Sequence, residues 1–539
     1  MGRKRKPVHP NDPLLYPDHP RPVSRRDFIR QGLVAGTGVT LGGGVLSLFT
    51  NPREAHAALA QDIQDLAASS GCPILPTSNP NIPVICFDLA GGANIAGSNV
   101  LVGTNGQLDG MTGSTAYSRL GLPDEMRPIG TNGPNFIDER LGLAFHSNSA
   151  MLQGILEKAP SVIGNVNGVV IPARSNNDTA NNPHNPMYGF ARAGGLGDIT
   201  TLIGSRNSDS GGNSMAPVIL NSSEYRPVKV DRPSDVSGLV DTSGLTRILG
   251  TQDVNAVMES IARISSSKMD RPSLDTLTAR NAVIKDLVKC GYIDAAELAD
   301  RFAGKNIDPA SDPDIVGPNG IFSDGSVNVN DDEWNGRDGG EFRKTASVMK
   351  MVIDGHAAAG TVTMGGFDYH TGDRAVGERR DLRAGRCIGA CLEYASKDKT
   401  GIGERPPTPV MIYVFSDGSV SSNGRIDTSV DGGGKGEWTT DNSSTAASFI
   451  LVYRPNISSN QILNPAYQTT RQIGRFSDNG AVVTNSSPAA NNVNLLVNTV
   501  ILNYMALNND IGNFTNIYNQ IGISHGLGNF QDYVAFAPV

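Results

Sequence analysis

The stretch GTVTMGGFDYHTGD, residues 360–373, predicts a buried strand that ends in a polar loop. Its apolar first half is rich in β-branched residues and stops at two glycines, which is typical of a strand and the turn after it. Asp368 and His370 then follow within the loop. If the chain stays extended there, these two side chains point to the same side.

Five further apolar runs have the same character and stop at Gly, Asp or Asn. They are IPVICFDLAGG (82–92), GVVIP (168–172), APVILN (216–221), PVMIYVFSDG (409–418) and SFILVYR (448–454). Continuous rather than alternating apolar runs indicate strands that are covered on both faces. Helical periodicity at 341–356 and 376–396 predicts a βαβ unit, so the strands at 360–366 and 409–415 should be parallel. The fold class that follows is α/β, with a mainly parallel sheet sandwiched between helices.

Residues 58–539 are predicted to form a single α/β domain with a helical insertion at about 232–310. Within the insertion, Gly291 is a candidate helix stop, and a capping-box-like pair predicts that a new helix starts at Asp294. A long polar loop is expected at about 305–340.

Residues 1–57 are predicted to be a targeting segment. SRRDFIR (24–30) resembles the bacterial twin-arginine export signal, and AHA (55–57) offers a small-x-small cleavage site. The apolar run between them is too rich in Gly and Thr for a good spanning helix, although a short membrane anchor is the alternative. We therefore expect the Tat translocase as a partner during export and no stable transmembrane segment after cleavage. The mature protein should be periplasmic, extracellular or on the cell surface.

The charge of the chain disfavours nucleic acid as a partner. The whole chain carries a net charge of −8, and residues 1–57 hold nine Lys/Arg and four Asp/Glu, so the mature chain carries −13. An acidic protein of this kind has little means to bind phosphate backbones through a basic face.

Four of the five cysteines allow a structural interpretation. Cys387 and Cys391 lie four residues apart on a predicted helix, which favours small apolar core residues over a disulfide or a zinc site. A Cys72–Cys86 bridge across a proline-rich turn is also compatible with the sequence.

Polar residues follow two of the predicted strands at the edge where ligands collect in parallel sheets. Asp368 and His370 follow one strand, and Ser416 and Asp417 follow another. A carboxylate and an imidazole two residues apart suit one divalent ion, with Zn²⁺, Mn²⁺ or Fe as natural candidates. The alternative is a turn in which the aspartate caps the backbone.

Five motifs carry a resemblance to a known family. They are VICFDLAGGANIAGSN (84–99), NNPHNP (181–186), GGFDYH (365–370), VFSDGSVSSNGR (414–425) and TTDNSSTAASFILV (439–452). In this order, and with the export signal, they resemble the exported bacterial family called domain of unknown function 1501. That family is grouped with the alkaline-phosphatase and sulfatase fold. The resemblance therefore implies a mainly parallel sheet with metal ligands at the strand ends.

The resemblance also suggests a site, although the match is incomplete. The suggested metal ligands are Asp368, His370, His184 and Asp441, and the suggested ligand-orienting residues are Asp417 and Asn94. Asn94 and Asn442 are amides where the family has a carboxylate and an imidazole. Amides are weak ligands for transition metals and suit Ca²⁺ better, so a single-metal or degenerate site is expected rather than a two-metal centre.

Three functions remain open from the sequence. The first is an exported metal-dependent hydrolase of phosphate or sulfate esters, with Zn, Mn or Fe as the metal and Ca less expected. The second is a non-catalytic exported surface or secretion-associated protein with a degenerate site. The third is a calcium-stabilised binding module, based on the acidic stretch 327–340. No catalytic nucleophile is selected among the candidates Ser98, Thr104 and Ser175.

Overall fold

The computed structural model of the chain describes most of the residues that follow the predicted targeting segment. The described residues are 60–70, 81–128, 135–175, 182–240, 251–269, 279–302, 305–323, 332–399 and 405–539. The predicted export signal and cleavage site, Cys72, and part of the acidic stretch 327–340 lie outside them. Within these ranges, no helix combines the length and the apolar character that crossing a membrane requires.

Seven strands form one mixed sheet. They are β1 (Val84–Leu89), β4 (Val166–Pro172), β5 (Thr200–Gly204), β6 (Val228–Lys229), β7 (Ala357–Met364), β8 (Val410–Phe415) and β11 (Ala447–Tyr453). Their order is β4-β11-β8-β1-β7-β5-β6, and neighbouring strands are parallel except at β11, which is antiparallel to both of its neighbours. The strands of the predicted βαβ unit, β7 and β8, are parallel and flank β1. Two small antiparallel sheets pair β2 (Ile137–Leu141) with β3 (Leu143–His146), and β9 (Val420–Ile426) with β10 (Gly436–Asp441).

Eleven α-helices lie in the described residues. They are α1 (Gln61–Ser70), α2 (Ala116–Arg119), α3 (Ala150–Lys158), α4 (Met187–Arg192), α5 (Pro233–Val240), α6 (Thr251–Met269), α7 (Ala279–Arg301), α8 (Gly339–Ile353), α9 (Arg374–Ser396), α10 (Val493–Leu507) and α11 (Phe514–Asn519). Together with the mostly parallel sheet, they confirm the α/β class.

Helices cover both faces of the large sheet. Residues of β1, β7 and β8 are buried at every position, as their continuous apolar sequence predicts. Cys86 and Ala359 belong to a core that also contains side chains of α4 and α10. Gly360, the next residue of β7, lies against Val348 and Val352 of α8. Since neighbouring residues of a strand point to opposite faces, these helices lie on opposite sides of the sheet.

One predicted strand is wrong, and two strands of the large sheet, as well as the four strands of the small sheets, were not predicted. Residues 216–221 form no strand; Val218–Leu220 make a single 3₁₀ turn after Pro217, and Val218 is 72% exposed. Proline has no N–H to donate to a ladder. Of the apolar residues after it, Leu220 is buried in the core, whereas Val218 and Ile219 are exposed. The parallel strands β5 and β6 went unrecognised because β5 carries only two large apolar residues and β6 has only two residues.

The described residues divide into two compact units, one within 1–74 and 240–304 and the other within 75–239 and 305–539. In the first unit, α1, α6 and α7 share a small core of Ile63, Ala67, Ala262, Ile293 and Ala296. Helix α7 continues through Gly291, so the predicted helix stop and the new start at Asp294 are wrong. A glycine inside a helix costs about 1 kcal/mol. The burial of Ile293 and Ala296 just beyond it offsets that cost.

The cysteines separate into two kinds. Cys86, Cys387 and Cys391 are buried free thiols, which confirms the core interpretation of the last two. The suggested Cys72–Cys86 bridge is wrong, because Cys86 faces the core from β1. Cys290 in α7 is disulfide-bonded.

Candidate metal centre

Three loops meet at the carboxyl edge of the large sheet, because β1, β7 and β8 are adjacent and parallel. The loop after β1 and the loop after β7 are joined by two backbone hydrogen bonds, from Ala90 N to Met364 O and from Phe367 N to Ala90 O. The loop after β8 is attached through its side chain, since Gly91 N donates to Oδ1 of Asp417 at 2.9 Å. The three loops therefore hold one another in place.

The contact between the first two loops is close enough to require glycine. At Gly91 a Cβ atom would lie 2.3 Å from the backbone nitrogen of Asp368, and its φ of +132° disfavours other residues. The backbone of Asp368 is thus positioned directly against the turn after β1.

The loop after β7 alternates between buried and solvent-facing side chains. Phe367 and Tyr369 are fully buried, and the hydroxyl of Tyr369 accepts a hydrogen bond from Asn94 N at 2.8 Å. Asp368 and His370 point to the other side, where Nδ1 of His370 lies 2.5 Å from Oδ1 of Asp368. The two buried aromatic rings anchor the loop and present both polar side chains together, as predicted for an extended chain.

A third polar side chain reaches the same point from β10, whose last residue is Asp441. The strand is fixed against the loop because Gly372 N donates to Trp438 O at 2.7 Å. The guanidinium of Arg374, at the start of α9, stacks over the Trp438 ring at 4.5 Å. These contacts bring Asp441 beside His370, with Oδ1 at 2.9 Å from Nδ1.

Asp368, His370 and Asp441, here called the carboxylate–imidazole group, each offer one ligand atom, and these atoms lie within 4.8 Å of one another. Nδ1 of His370 makes no hydrogen bond within the described part of the chain although both carboxylates lie close to it, so this nitrogen is available to a metal ion. The side chains of His370, Asp368 and Asp441 are 31%, 53% and 50% exposed, which leaves room for water or substrate on a bound ion. Two carboxylates and one imidazole suit a divalent metal such as Zn²⁺, Mn²⁺ or Fe.

His184 does not join the carboxylate–imidazole group. It is buried, its ring stacks on Phe415 with centroids 6.0 Å apart, and Nε2 lies 3.0 Å from Oγ of Ser175. Burial lowers the pKa of His184 to about 3, so the ring is neutral. Ser175 donates to Asp417 O at 2.6 Å and is 1% exposed, which keeps this serine away from any substrate.

Asp417 and Asn94 support the loops rather than contribute to the carboxylate–imidazole group. Both side chains are buried. Besides its bond from Gly91, Asp417 accepts one from Nδ2 of Asn213 at 3.3 Å. Asn94 donates from Nδ2 to Oγ of Ser98 at 2.6 Å, which also occupies that candidate nucleophile. These contacts hold the loops, and the ligand-orienting role suggested for the two residues stays a prediction.

Sequence reasoning missed two buried carboxylates near this edge. Asp88 in β1 accepts bonds from Asn213 N at 2.6 Å, Ser214 N at 2.8 Å and Ser214 Oγ at 3.0 Å. Burial and, to a smaller extent, the charge of Asp417 raise the pKa of Asp88 to about 6 against the effect of these bonds. Asp381 in α9 accepts from Asn99 Nδ2 at 2.7 Å, and burial raises its pKa to about 7. An aspartate inside an apolar run, as in VICFDL, was the available signal for Asp88.

Comparison with known proteins gives no information about the carboxylate–imidazole group. The chain matches no protein-family model, no curated protein and no solved structure. The resemblance to domain of unknown function 1501 therefore stays a prediction that rests on its short motifs.

Proposed function

We propose that this chain is an exported metal-dependent hydrolase of phosphate or sulfate esters with an alkaline-phosphatase-like fold. The observation that carries the proposal is the convergence of Asp368, His370 and Asp441 at the carboxyl edge of the sheet. Loops at that edge of open parallel sheets are where ligands bind. The mostly parallel sheet with helices on both faces supports the fold assignment without distinguishing it from other α/β folds.

The residues of the group fit a divalent ion. Asp368 and Asp441 supply two negative charges, and His370 supplies a nitrogen ligand between them. When bound, such an ion polarises a phosphoryl or sulfuryl oxygen and lowers the pKa of bound water. Tyr369 and Phe367 fix the loop from below, and the half-exposed side chains leave access for the ester from solvent.

Export is supported by two features of the chain. The twin-arginine motif and the small-x-small site precede the first described residue. Cys290 is disulfide-bonded, and disulfides persist chiefly in oxidising compartments such as the periplasm.

A non-catalytic exported protein is the second candidate. It is favoured by the burial of two nucleophile candidates, Ser98 and Ser175, each 1% exposed. It is also favoured by Asn94, whose amide is occupied by Ser98 rather than directed at a ligand. In this alternative the carboxylate–imidazole group would be a polar surface turn.

Elemental analysis of the purified full chain and its variants tests the proposal. We expect about one equivalent of a transition metal in the wild type, since the structure offers one such group. The Asp368→Ala/His370→Ala variant should lose the metal. Asp373→Ala is the matched control, because this exposed carboxylate lies in the same loop but outside the group. It should keep the metal.

A screen of phosphate and sulfate esters completes the test. Hydrolysis by the metal-loaded wild type that disappears in the double variant supports the hydrolase. Absence of metal from folded wild type contradicts it and favours the non-catalytic alternative. Unchanged metal content in the double variant rejects this group as the site.

A further inference from the structure

Helix α9 carries five arginines, and four of them bind carboxylates. The pairs are Arg374 with Glu378 at 2.6 Å, Arg379 with Asp431 at 2.5 Å, Arg383 with Asp338 at 2.7 Å and Arg386 with Glu157 at 2.6 Å. Arg380 is the exception. Among the described residues it makes neither an ion pair nor a hydrogen bond.

Arg380 lies at the same edge of the sheet as the carboxylate–imidazole group. A Cβ atom at Gly366 would be 2.6 Å from Cζ of Arg380 and 2.8 and 3.0 Å from its two terminal nitrogens. The guanidinium therefore rests on the backbone of Gly366, two residues before Asp368. Gly366 has a φ of +88° and no side chain, and this combination makes room for the cation.

The charges around Arg380 leave its own charge poorly compensated. Partial burial lowers the pKa of Arg380, and the neighbouring cations of Arg383 and Arg379 lower it further. Asp373 and Tyr369 act in the opposite direction, but neither forms an ion pair or hydrogen bond with Arg380. Arginine stays protonated under all ordinary conditions. An anion should therefore bind more tightly to this guanidinium than to that of Arg379 or Arg383, which already have carboxylate partners.

We propose that Arg380 binds the tetrahedral oxyanion of the substrate, a phosphoryl or sulfuryl group, beside the metal held by Asp368, His370 and Asp441. A guanidinium offers two parallel N–H donors that match two oxygens of such a group. Arg380 is then a substrate-binding residue. This role explains why an acidic protein has an arginine at this edge that forms no ion pair with the described residues. The inference rests on the proposed function, because the phosphate or sulfate ester named there supplies the oxyanion.

Titration calorimetry with inorganic phosphate, and separately with inorganic sulfate, tests the inference. We expect Arg380→Gln to weaken the binding of the preferred anion by about tenfold or more, the value of a charge-assisted hydrogen bond. Arg380→Lys should recover part of this loss because it keeps the charge. Arg379→Gln is the matched control, since it removes the adjacent guanidinium, which is already paired with Asp431. It should bind both anions as the wild type does.

The measurements are made with and without added metal, so that a failure of the proposed function can be distinguished from a failure of the role proposed for Arg380. Failure of the proposed function appears as a wild type that takes up no metal. Anion binding that still depends on Arg380 in that protein keeps the inference. Equal anion affinity in wild type and Arg380→Gln, or no binding of either anion by the wild type, overturns the inference whatever the metal content.

Discussion

Two sets of carboxylates lie at the same edge of the sheet and differ in what surrounds them. Asp88 and Asp417 are fully buried, and backbone N–H groups donate to both. Asp368 and Asp441 are about half exposed, and both lie beside the ring nitrogen of His370. The first set is satisfied by the fold itself. The second set has exposed oxygens that face a common point, which is what a metal site needs.

The difference shows why burial alone does not identify a functional carboxylate. Asp88 has a raised pKa, a feature that often marks active sites. Yet its oxygens are taken up by Asn213 and Ser214, which ties the 205–214 loop to β1. We therefore assign Asp88 a structural role and the exposed group the chemical one.

Asp88→Ala should give the largest effect on stability. The change leaves one buried backbone N–H, one partly buried backbone N–H and one hydroxyl without an acceptor, at about 1 kcal/mol or more each, so we expect a loss of at least about 3 kcal/mol. Urea unfolding of the full chain measures it. Ser214→Ala removes a single donor and should cost only about 1 kcal/mol. If Asp88→Ala cost no more than Ser214→Ala, the three hydrogen bonds to Asp88 would not be what holds the 205–214 loop to β1.

Gly91→Ala should give the next largest effect, because it forces the two loops apart. The added Cβ would meet the backbone of Asp368, and the positive φ adds strain, so a loss of about 2–3 kcal/mol is expected. Metal affinity should fall with it, since Asp368 is displaced. Gly365→Ala is the control in the same region, because no atom lies within 4 Å of its Cβ position. Equal stability of the two variants would contradict the close contact.

Much of the scaffold around the site could be predicted from the sequence. The continuous apolar runs of β1, β7 and β8 predicted that these strands are buried. The βαβ order predicted that β7 and β8 are parallel. The two-residue spacing of Asp368 and His370 gave their common side. These features depend on local pattern, and local pattern is what a single sequence carries best.

The rest depends on contacts between distant segments. Asp441 reaches His370 because Gly372 binds Trp438, and no periodicity reveals that contact; only the family resemblance suggested Asp441. His184 came from the same resemblance, and the structure places it in a buried pair with Ser175. The apolar run 216–221 resembled a strand, but strand formation also needs a pairing partner, and Val218–Leu220 form a 3₁₀ turn after Pro217 instead.

Asp381→Asn should change how stability depends on pH. The folded protein keeps the proton of Asp381 up to about pH 7, whereas the unfolded chain loses it near pH 3.9. Between these values the folded state binds more protons, so this residue contributes stability below about pH 4 that is lost as the pH rises towards 7. Between these two pKa values, the free energy of unfolding of the asparagine variant should increase relative to that of wild type by about 1.4 kcal/mol per pH unit.

Chemical denaturation of both proteins at pH 4.5, 6 and 7.5 measures this difference, and contributions from all other groups cancel in it. Asparagine can still accept the bond from Asn99 Nδ2, so the packing under Tyr369 is kept. A difference that stays constant over the three pH values would show that Asp381 is ionised throughout.

Asp368→Ala should give the smallest effect in the metal-free protein and thereby sharpen the contrast with Asp88. Its half-exposed carboxylate receives no hydrogen bond from the backbone, so we expect a change of less than about 0.5 kcal/mol in the unfolding free energy. With metal present at a hundred times its dissociation constant, wild type should gain about 2.7 kcal/mol and the variant almost nothing. A large loss in the metal-free variant would instead make Asp368 part of the fold's internal support. In that case both sets of carboxylates would stabilise the fold, and the exposed set would have no separate chemical role.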